Sequence, residues 1–366
     1  MTIVIAGAGL AAQRCIQALR RRGHDGRIVL LGDEGRLPYD RPPLSKEHLK
    51  NPQELALRPL AWYAEHGVEL HLDDPAVALD PHARTVTTRS GARHRYVRVL
   101  IATGARPMTL PGHPTHVLRT AADAAALAER LRPGARLTIA GAGFIGQEVA
   151  QTATALGVAV TLIEAAPTPL HALLGPQLGA WFAQLHRDAG IDVRLNTMIE
   201  RLDGRAATLD DGTTVEHDLV LAGIGVRPDT AWLAPAGLPS HGIPVDHAGA
   251  TAVPAVFAAG DVALGHHWEA AVAQGTAAAY GMLGLQPPPH PRPSFWSDLG
   301  DLRIQLAGDP RGADELIVDG DPDARDFTAL LLRDGVVRAG LLVGRPRALP
   351  ALRDQLDQPV PDRRTA

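Results

Sequence analysis

Short, unbroken apolar runs that end in glycine organise most of this chain. Runs of this kind, without polar alternation, predict strands buried on both faces, as in a parallel sheet. Thr2–Ala6 is the first; it leads into Gly7-Ala8-Gly9-Leu10-Ala11-Ala12, a helix to about Arg22, and a second strand over Arg27–Leu31. The same order returns as Arg136–Ala140, Gly141-Ala142-Gly143-Phe144-Ile145-Gly146, a helix to about Leu156, and Ala159–Ile163. The repeat is therefore one strand–turn–helix–strand half used twice.

Further apolar runs follow the same logic. Arg98–Ile101 runs into Ala102-Thr103-Gly104, Asp218–Ala222 into Gly223–Pro228, and Val256–Ala259 into Gly260-Asp261 and a helix from about Trp268 to Leu283. The polar, turn-rich stretch Asp73–Arg95 reads as a small hairpin. Pro287–Pro293 is a proline-rich linker. Beyond it, Gln305–Ala307, Glu315–Val318, Phe327–Arg333 and Val336–Val343 read as strands of a small α+β domain, and the polar tail after Arg353 is expected to fray.

Composition narrows the function classes. A chain of 366 residues with 45% hydrophobic content can hold two or three cores. A net charge of −4, with basic residues scattered, argues against nucleic-acid binding. No apolar run approaches the ~18–20 residues of a membrane span, and the N-terminus opens as a strand, so the cytoplasm is the expected location. Cys15 is the single cysteine, which excludes intramolecular disulfides and Cys-x-x-Cys chemistry. Lys46 and Lys50 are the only lysines in an arginine-rich chain.

The two glycine-rich turns carry the clearest chemistry. In Gly-x-Gly-x-x-Gly/Ala, the first glycine makes the tight turn and the second lets a pyrophosphate approach the backbone. The third position packs helix on strand, while the helix N-terminus attracts phosphate charge. Gly7, Gly9 and Ala12 fill these places in the first copy; Gly141, Gly143 and Gly146, with Ile145 between, fill them in the second. An acid at the end of the second strand can accept ribose hydroxyls. Asp33, with Glu34 beside it, takes that place in the first copy and Glu164 in the second. No arginine lies in Ala165–Thr168 to meet a 2′-phosphate, which favours NADH over NADPH. Two dinucleotides in one chain point to a flavin and a nicotinamide. Gly260-Asp261 assigns FAD to the first loop, since the carboxylate can hold ribityl hydroxyls.

Together these motifs resemble a known family. Gly32-Asp33-Glu34 through Pro38-Tyr39-Asp40-Arg41-Pro42-Pro43-Leu44-Ser45-Lys46 is similar to the signature of FAD-dependent ferredoxin and rubredoxin reductases serving oxygenases and cytochromes P450. That putidaredoxin reductase-like group lies within the pyridine nucleotide-disulfide oxidoreductases. The likeness continues through Ala102–Pro107, Leu118-Arg119-Thr120, Gly143–Glu148, Gly223–Pro228, Ala258–Val262, Trp268 and Phe295-Trp296-Ser297-Asp298. It implies an α/β fold with two Rossmann-like, glutathione reductase-like domains and a small C-terminal α+β domain. FAD would occupy 1–107 and 223–288, NAD 108–222, and the last domain would span 289–366.

The resemblance implies FAD contacts at Ala11, Arg41, Lys46, Ala76, Thr103, Gly104, Arg119, Asp261 and Trp268. It implies NAD contacts at Glu148, Gly225 and Trp296, and an ion pair between Lys46 and Glu148 near the flavin. A cation there stabilises charge on the reduced ring, and a paired carboxylate limits the cost of burying it. The implied acceptor is a [2Fe–2S] ferredoxin, or a rubredoxin, met by a monomer or homodimer; Arg292, Arg303 and Arg311 are candidates for docking it.

Several positions depart from the family pattern. The arginine usual after the NAD-site acid is missing, and His171 stands where a later basic residue is common. Leu264–Trp268 lacks an Arg-x-Glu, and Gly300 replaces a tyrosine. His266-His267 reads as polar loop, and no metal centre is expected. Rival readings are an NADH oxidase, a nitrite-reductase-type flavin subunit, and a redox-responsive interaction protein resembling apoptosis-inducing factor.

Overall fold

A computed structural model describes residues 1–111, 115–265, 267–290 and 292–360, which gather into two compact units. The first comprises Met1–Arg41, Glu54–Arg106 and Val226–Pro291; the second comprises Pro42–Gln53, Pro107–Gly225 and Arg292–Ala366. Among the described residues no helix is long and apolar enough to cross a membrane.

The first unit is built on a parallel sheet in the order Val256–Ala258, Arg98–Ile101, Ile3–Ala6, Ile28–Leu31, Val68–His71. Its strands Ile3–Ala6 and Ile28–Leu31 are apolar throughout because both faces are covered. On one face lie the helices Leu10–Arg21 and Trp268–Met282. Ala12, Cys15, Ile16 and Leu19 of the first helix, spaced three and four apart, pack there with Ile5, Leu100 and Tyr63. Arg20 and Arg21 in its last turn complement the helix dipole. The other face, with Val4, Val29, Leu31 and Ile101, packs against Leu79 and Val86 of a small antiparallel sheet.

That small sheet has three strands, Ala76–Asp80, Thr85–Thr88 and Arg93–Arg95, one more than the hairpin expected from the sequence. The third is Arg-His-Arg, so no apolar pattern marks it.

The second unit repeats the parallel arrangement as Asp192–Leu195, Ala159–Glu164, Arg136–Ala140, Leu219–Ala222, with the helix Phe144–Ala155 following the Arg136–Ala140 strand. It also holds a C-terminal antiparallel sheet in the order Ser294–Leu299, Leu302–Gly308, Val336–Val343, Asp326–Arg333, Glu315–Asp321. The Phe295-Trp296-Ser297-Asp298 segment is the first strand of that sheet. It turns into the second through Gly300-Asp301, with Gly300 at φ +61°. Leu174, Phe182, Phe327 and Leu341 form the core beneath it.

The chain does not fray at Arg353. Leu349–Gln355 is a helix, Leu356 is buried, and Pro359 bridges Val336. Residues 361–366 of the expected tail lie outside the described residues.

Candidate functional site

In the first unit the turn after Ile3–Ala6 is set by steric closeness. Gly7 has φ +105°, and a Cβ there would lie 2.2 Å from the carbonyl oxygen of Ala102, just past the neighbouring strand Arg98–Ile101. Gly9 is different. Its φ is −104°, a Cβ on it would meet nothing within 4 Å, and it caps Leu10–Arg21 without any side-chain hydrogen bond. The helix thus begins without a side-chain cap and with open space over the second glycine, the cradle a pyrophosphate requires. Ala11 and Ala12 are buried behind it. A Cβ on Gly275, in the helix Trp268–Met282, would sit 2.3 Å from the Ala11 carbonyl oxygen, so this glycine lets the two helices close up. Gly275 carries no motif, and sequence reasoning missed it.

The remaining first-unit residues fall into small groups. Gly32 packs on Ala8, and Asp33 stands exposed just beyond it. Glu34 is engaged by protein: its carboxylate accepts from the Tyr39 hydroxyl and from Arg41 at 2.8 Å. Asp40 accepts from Trp268 Nε1 at 2.7 Å. Thr103 Oγ1 donates to the Asp229 carbonyl at 2.8 Å, and Gly104 follows at φ +73°. Asp229 also pairs with Arg106, whose pKa this hydrogen bond raises. Gly260 (φ +82°) donates its N–H to Gln274 Oε1 at 2.8 Å, and Asp261 opens a 3-10 turn. Ala76, at the start of the small sheet, packs in the core cluster on the other sheet face. His266 lies outside the described residues.

The second loop follows the same design. Gly141 is at φ +98°, and a Cβ there would lie 2.5 Å from Gly223 O; a Cβ on Gly146 would lie 2.1 Å from Gly141 O. Gly143 caps Phe144–Ala155 without a side-chain bond, and its nearest neighbour would be 3.9 Å away. Ile145 is exposed and Gly225 has φ +109°. The Glu164 carboxylate accepts from the Ala142 N–H at 2.7 Å and the Ala166 N–H at 2.9 Å, which ties the acid to the loop. Arg119 precedes a capping box. Its N–H and that of Thr120 both donate to Asp123 Oδ2, while Thr120 Oγ1 accepts from Asp123 N.

Glu148 lies in the helix Phe144–Ala155 and is 4% exposed, so its carboxylate needs donors. Lys46 Nζ supplies one at 2.8 Å and Ser297 Oγ another at 2.7 Å, both to Oε1; Ser45 Oγ donates to Oε2. Lys46 Nζ also reaches the Pro42 carbonyl at 3.1 Å. Thr152 Oγ1 on the same helix donates to the Ser45 carbonyl at 2.9 Å, anchoring the Pro42–Ser45 turn. The two serines lie inside the Pro38–Lys46 and Phe295–Asp298 segments that carry the family likeness, yet a hydroxyl carries no pattern that assigns it a partner. Strand alternation puts Phe295 and Ser297 on one face and Trp296 on the other. Phe295 meets Phe144 edge-on at 4.6 Å.

A second buried polar chain runs from the same helix. Gln147 Nε2 donates to the Ala142 carbonyl at 3.0 Å, Gln147 Oε1 meets His186 Nε2 at 2.8 Å, and His186 Nδ1 meets Gln151 at 3.0 Å. Burial lowers the His186 pKa to about 4, so the ring is neutral.

Arg292, Arg303 and Arg311 are each paired with an acid. Arg292 contacts Asp357 at 2.7 Å, Arg303 contacts Asp298 at 2.7 Å, and Arg311 contacts Asp309 at 2.7 Å. Cys15 is fully buried, and burial raises its pKa far above that of a free thiol.

Residues 1–275 match the pyridine nucleotide-disulphide oxidoreductase family, and 294–366 match a reductase C-terminal domain. The biphenyl dioxygenase system ferredoxin–NAD(+) reductase component of Paraburkholderia xenovorans (strain LB400) is 40% identical, covering 94% of this chain and 90% of that protein. The 5,5'-dehydrodivanillate O-demethylase ferredoxin reductase subunit of Sphingobium sp. (strain NBRC 103272 / SYK-6) is 35% identical, with the same coverages of 94% and 90%. Among solved structures, putidaredoxin reductase in its covalent complex with putidaredoxin superposes with a TM-score of 0.91 at 30% identity. That match covers 97% of this chain and 94% of the other.

Proposed function

We propose, for a chain that belongs to the pyridine nucleotide-disulphide oxidoreductase family, that it is an NADH-dependent ferredoxin reductase. Its acceptor would be a small [2Fe–2S] ferredoxin, or a rubredoxin, serving an oxygenase or cytochrome P450. The names of the relatives support this reading. The observation that carries it is the coexistence of two open dinucleotide loops with a single, fully buried thiol. With no cysteine pair to take electrons inside the chain, an outside carrier is the most economical destination.

The cofactors are FAD and NAD(H). When bound, FAD supplies acceptance of a hydride from NADH and release of its two electrons one at a time. Gly7, Gly9, Ala11 and Ala12 would hold its pyrophosphate, Asp33 its ribose, and Arg41, Ala76, Thr103, Gly104, Gly260, Asp261 and Trp268 the rest, joined by Lys46 and Arg119. Gly141, Gly143, Ile145 and Gly146 would hold the NADH pyrophosphate and Glu164 a ribose, with Gly225 and Trp296 lining the site. Glu164 would repel a 2′-phosphate, which favours NADH. Lys46 would be the catalytic cation and Glu148 its counter-ion; Ser45 and Ser297 would position the carboxylate. The domain limits read from the sequence (1–107 with 223–288, 108–222, 289–366) and a cytoplasmic location belong to the same proposal.

Stopped-flow absorbance tests it. NADH should bleach the flavin, and the reduced protein should persist under air until a [2Fe–2S] ferredoxin is added. Rapid reoxidation by oxygen alone would support an oxidase instead. A long-lived charge-transfer band with no turnover by any carrier would support a signalling role.

A further inference from the structure

Glu69, His71 and His94, far in sequence from both glycine-rich loops, bring one carboxylate oxygen and two ring nitrogens within 4.8 Å of one another. Glu69 and His71 lie two apart on Val68–His71, so their side chains share one face of that strand. This strand is the edge of the parallel sheet, and Arg93–Arg95, which carries His94, is the edge of the small antiparallel sheet. The two imidazoles meet at 4.9 Å between centroids. His71 Nε2 already contacts Glu69 Oε1 at 2.7 Å, and His94 Nε2 is buried with no hydrogen-bond partner among the described residues.

We propose that Glu69, His71 and His94 form a site for a divalent transition metal of the zinc class, clipping the two sheet edges together with a fourth position open to solvent. Zinc takes imidazole nitrogen and carboxylate oxygen at ~2.0–2.2 Å, which sets tetrahedral donors about 3.3 Å apart. The longest separation in the present cluster therefore needs to close by at most about 1.5 Å, while the 2.7 Å contact between His71 and Glu69 opens to about 3.3 Å. The metal would replace the contact between His71 and Glu69 and take one ring nitrogen of His94.

The surrounding charges permit this. Arg27 holds the other carboxylate oxygen, Oε2, at 2.8 Å, so Oε1 faces the imidazoles. Arg27 is 56% exposed, and solvent screens its charge. Asp74, the further acid acting on both histidines, is bound to Ser90 through its N–H at 2.8 Å and its hydroxyl at 2.6 Å. Burial, then the neighbouring His71, lowers the His94 pKa, which keeps a ligating nitrogen unprotonated. The hydrogen bond from His71 leads in lowering that of Glu69.

The test uses the full-length, FAD-loaded protein after chelator treatment, titrated with Co²⁺ and then with Zn²⁺. The proposal expects about one equivalent of Co²⁺ with the strong visible bands of a tetrahedral site, displaced by Zn²⁺. Zn²⁺ but not Mg²⁺ should raise the unfolding temperature. His71→Gln and His94→Gln, shown to be folded by circular dichroism and FAD content, should each weaken Co²⁺ binding by tenfold or more and lose the zinc-dependent shift. Should either variant fail to fold, Glu69→Gln carries the same expectation. Absence of tetrahedral bands in the parent, or unchanged affinity in the folded variants, would overturn the site.

Discussion

Replacing Lys46 by Met leaves Glu148 as a buried carboxylate served by two hydroxyls. Both partners are largely out of water, with side chains 15% and 5% exposed. At 2.8 Å, and with an effective dielectric of ~20, their gross attraction is about 6 kcal/mol, offset by a desolvation cost of several kcal/mol per ion. The pair as a whole therefore adds little net stability. Breaking it is another matter, because the survivor stays buried. Removing one partner of such a pair costs ~3–5 kcal/mol, whereas replacing both with neutral groups of similar volume is often close to neutral. Lys46→Met should thus lower the local opening free energy of Phe144–Ala155 by about 3 kcal/mol or more. Adding Glu148→Gln should restore most of it, giving a coupling energy of about 2–3 kcal/mol. Native-state hydrogen exchange across the helix measures this directly. Both single variants should also keep their FAD and reduce it more slowly on mixing with NADH. Additive effects in the cycle, or parent-like reduction rates in both variants, would refute the reasoning.

Gly9→Ala should leave the apoprotein within ~0.5 kcal/mol of the parent, because its Cβ enters open space, while weakening FAD retention. Gly7→Ala should instead destabilise the first unit, since its Cβ would clash with the Ala102 carbonyl; equal stability of the two apoproteins would contradict this. His186 is neutral when folded, with a pKa of about 4 against 6.5 when exposed, so the unfolded chain binds more protons between those values. Stability is fully present above pH 6.5 and declines as pH falls toward 4, by about 3 kcal/mol in all; His186→Gln should flatten that slope in urea titrations. Thr120→Ala removes the acceptor for Asp123 N and should cost ~1 kcal/mol, read as faster exchange in the first turn of Ala121–Ala128.

The legible part of the molecule is the part fixed by local chemistry. Gly7 and Gly141 occupy positive φ beneath a crossing carbonyl, a demand only glycine meets, so their spacing shows in sequence. The apolar strands Arg98–Ile101, Arg136–Ala140 and Val336–Val343 appear with the limits read from the pattern. Elements held by distant partners stayed hidden. Ser294–Leu299 hides for a different reason: it is half polar and follows prolines, so no apolar run marks it, although its partner Leu302–Gly308 is adjacent through the Gly300-Asp301 turn. Arg93–Arg95 has no apolar residue, and the tail to Val360 is anchored by contacts with Gly335 and Val336. Resemblance pairs Lys46 with Glu148, but no sequence pattern marks Ser45, Ser297 or the Gln147–His186–Gln151 chain. Each hydrogen bond joins residues far apart in sequence or of ordinary type.

The sealed position of Cys15 has a practical side. A chain whose one native thiol is fully buried offers a silent background for site-specific attachment. A cysteine introduced at an exposed surface position such as Val318, on the strand Glu315–Asp321, would be the sole group to react with a maleimide. The protein could then be tethered to an electrode in one orientation, and current could be recorded as a function of which face meets the metal.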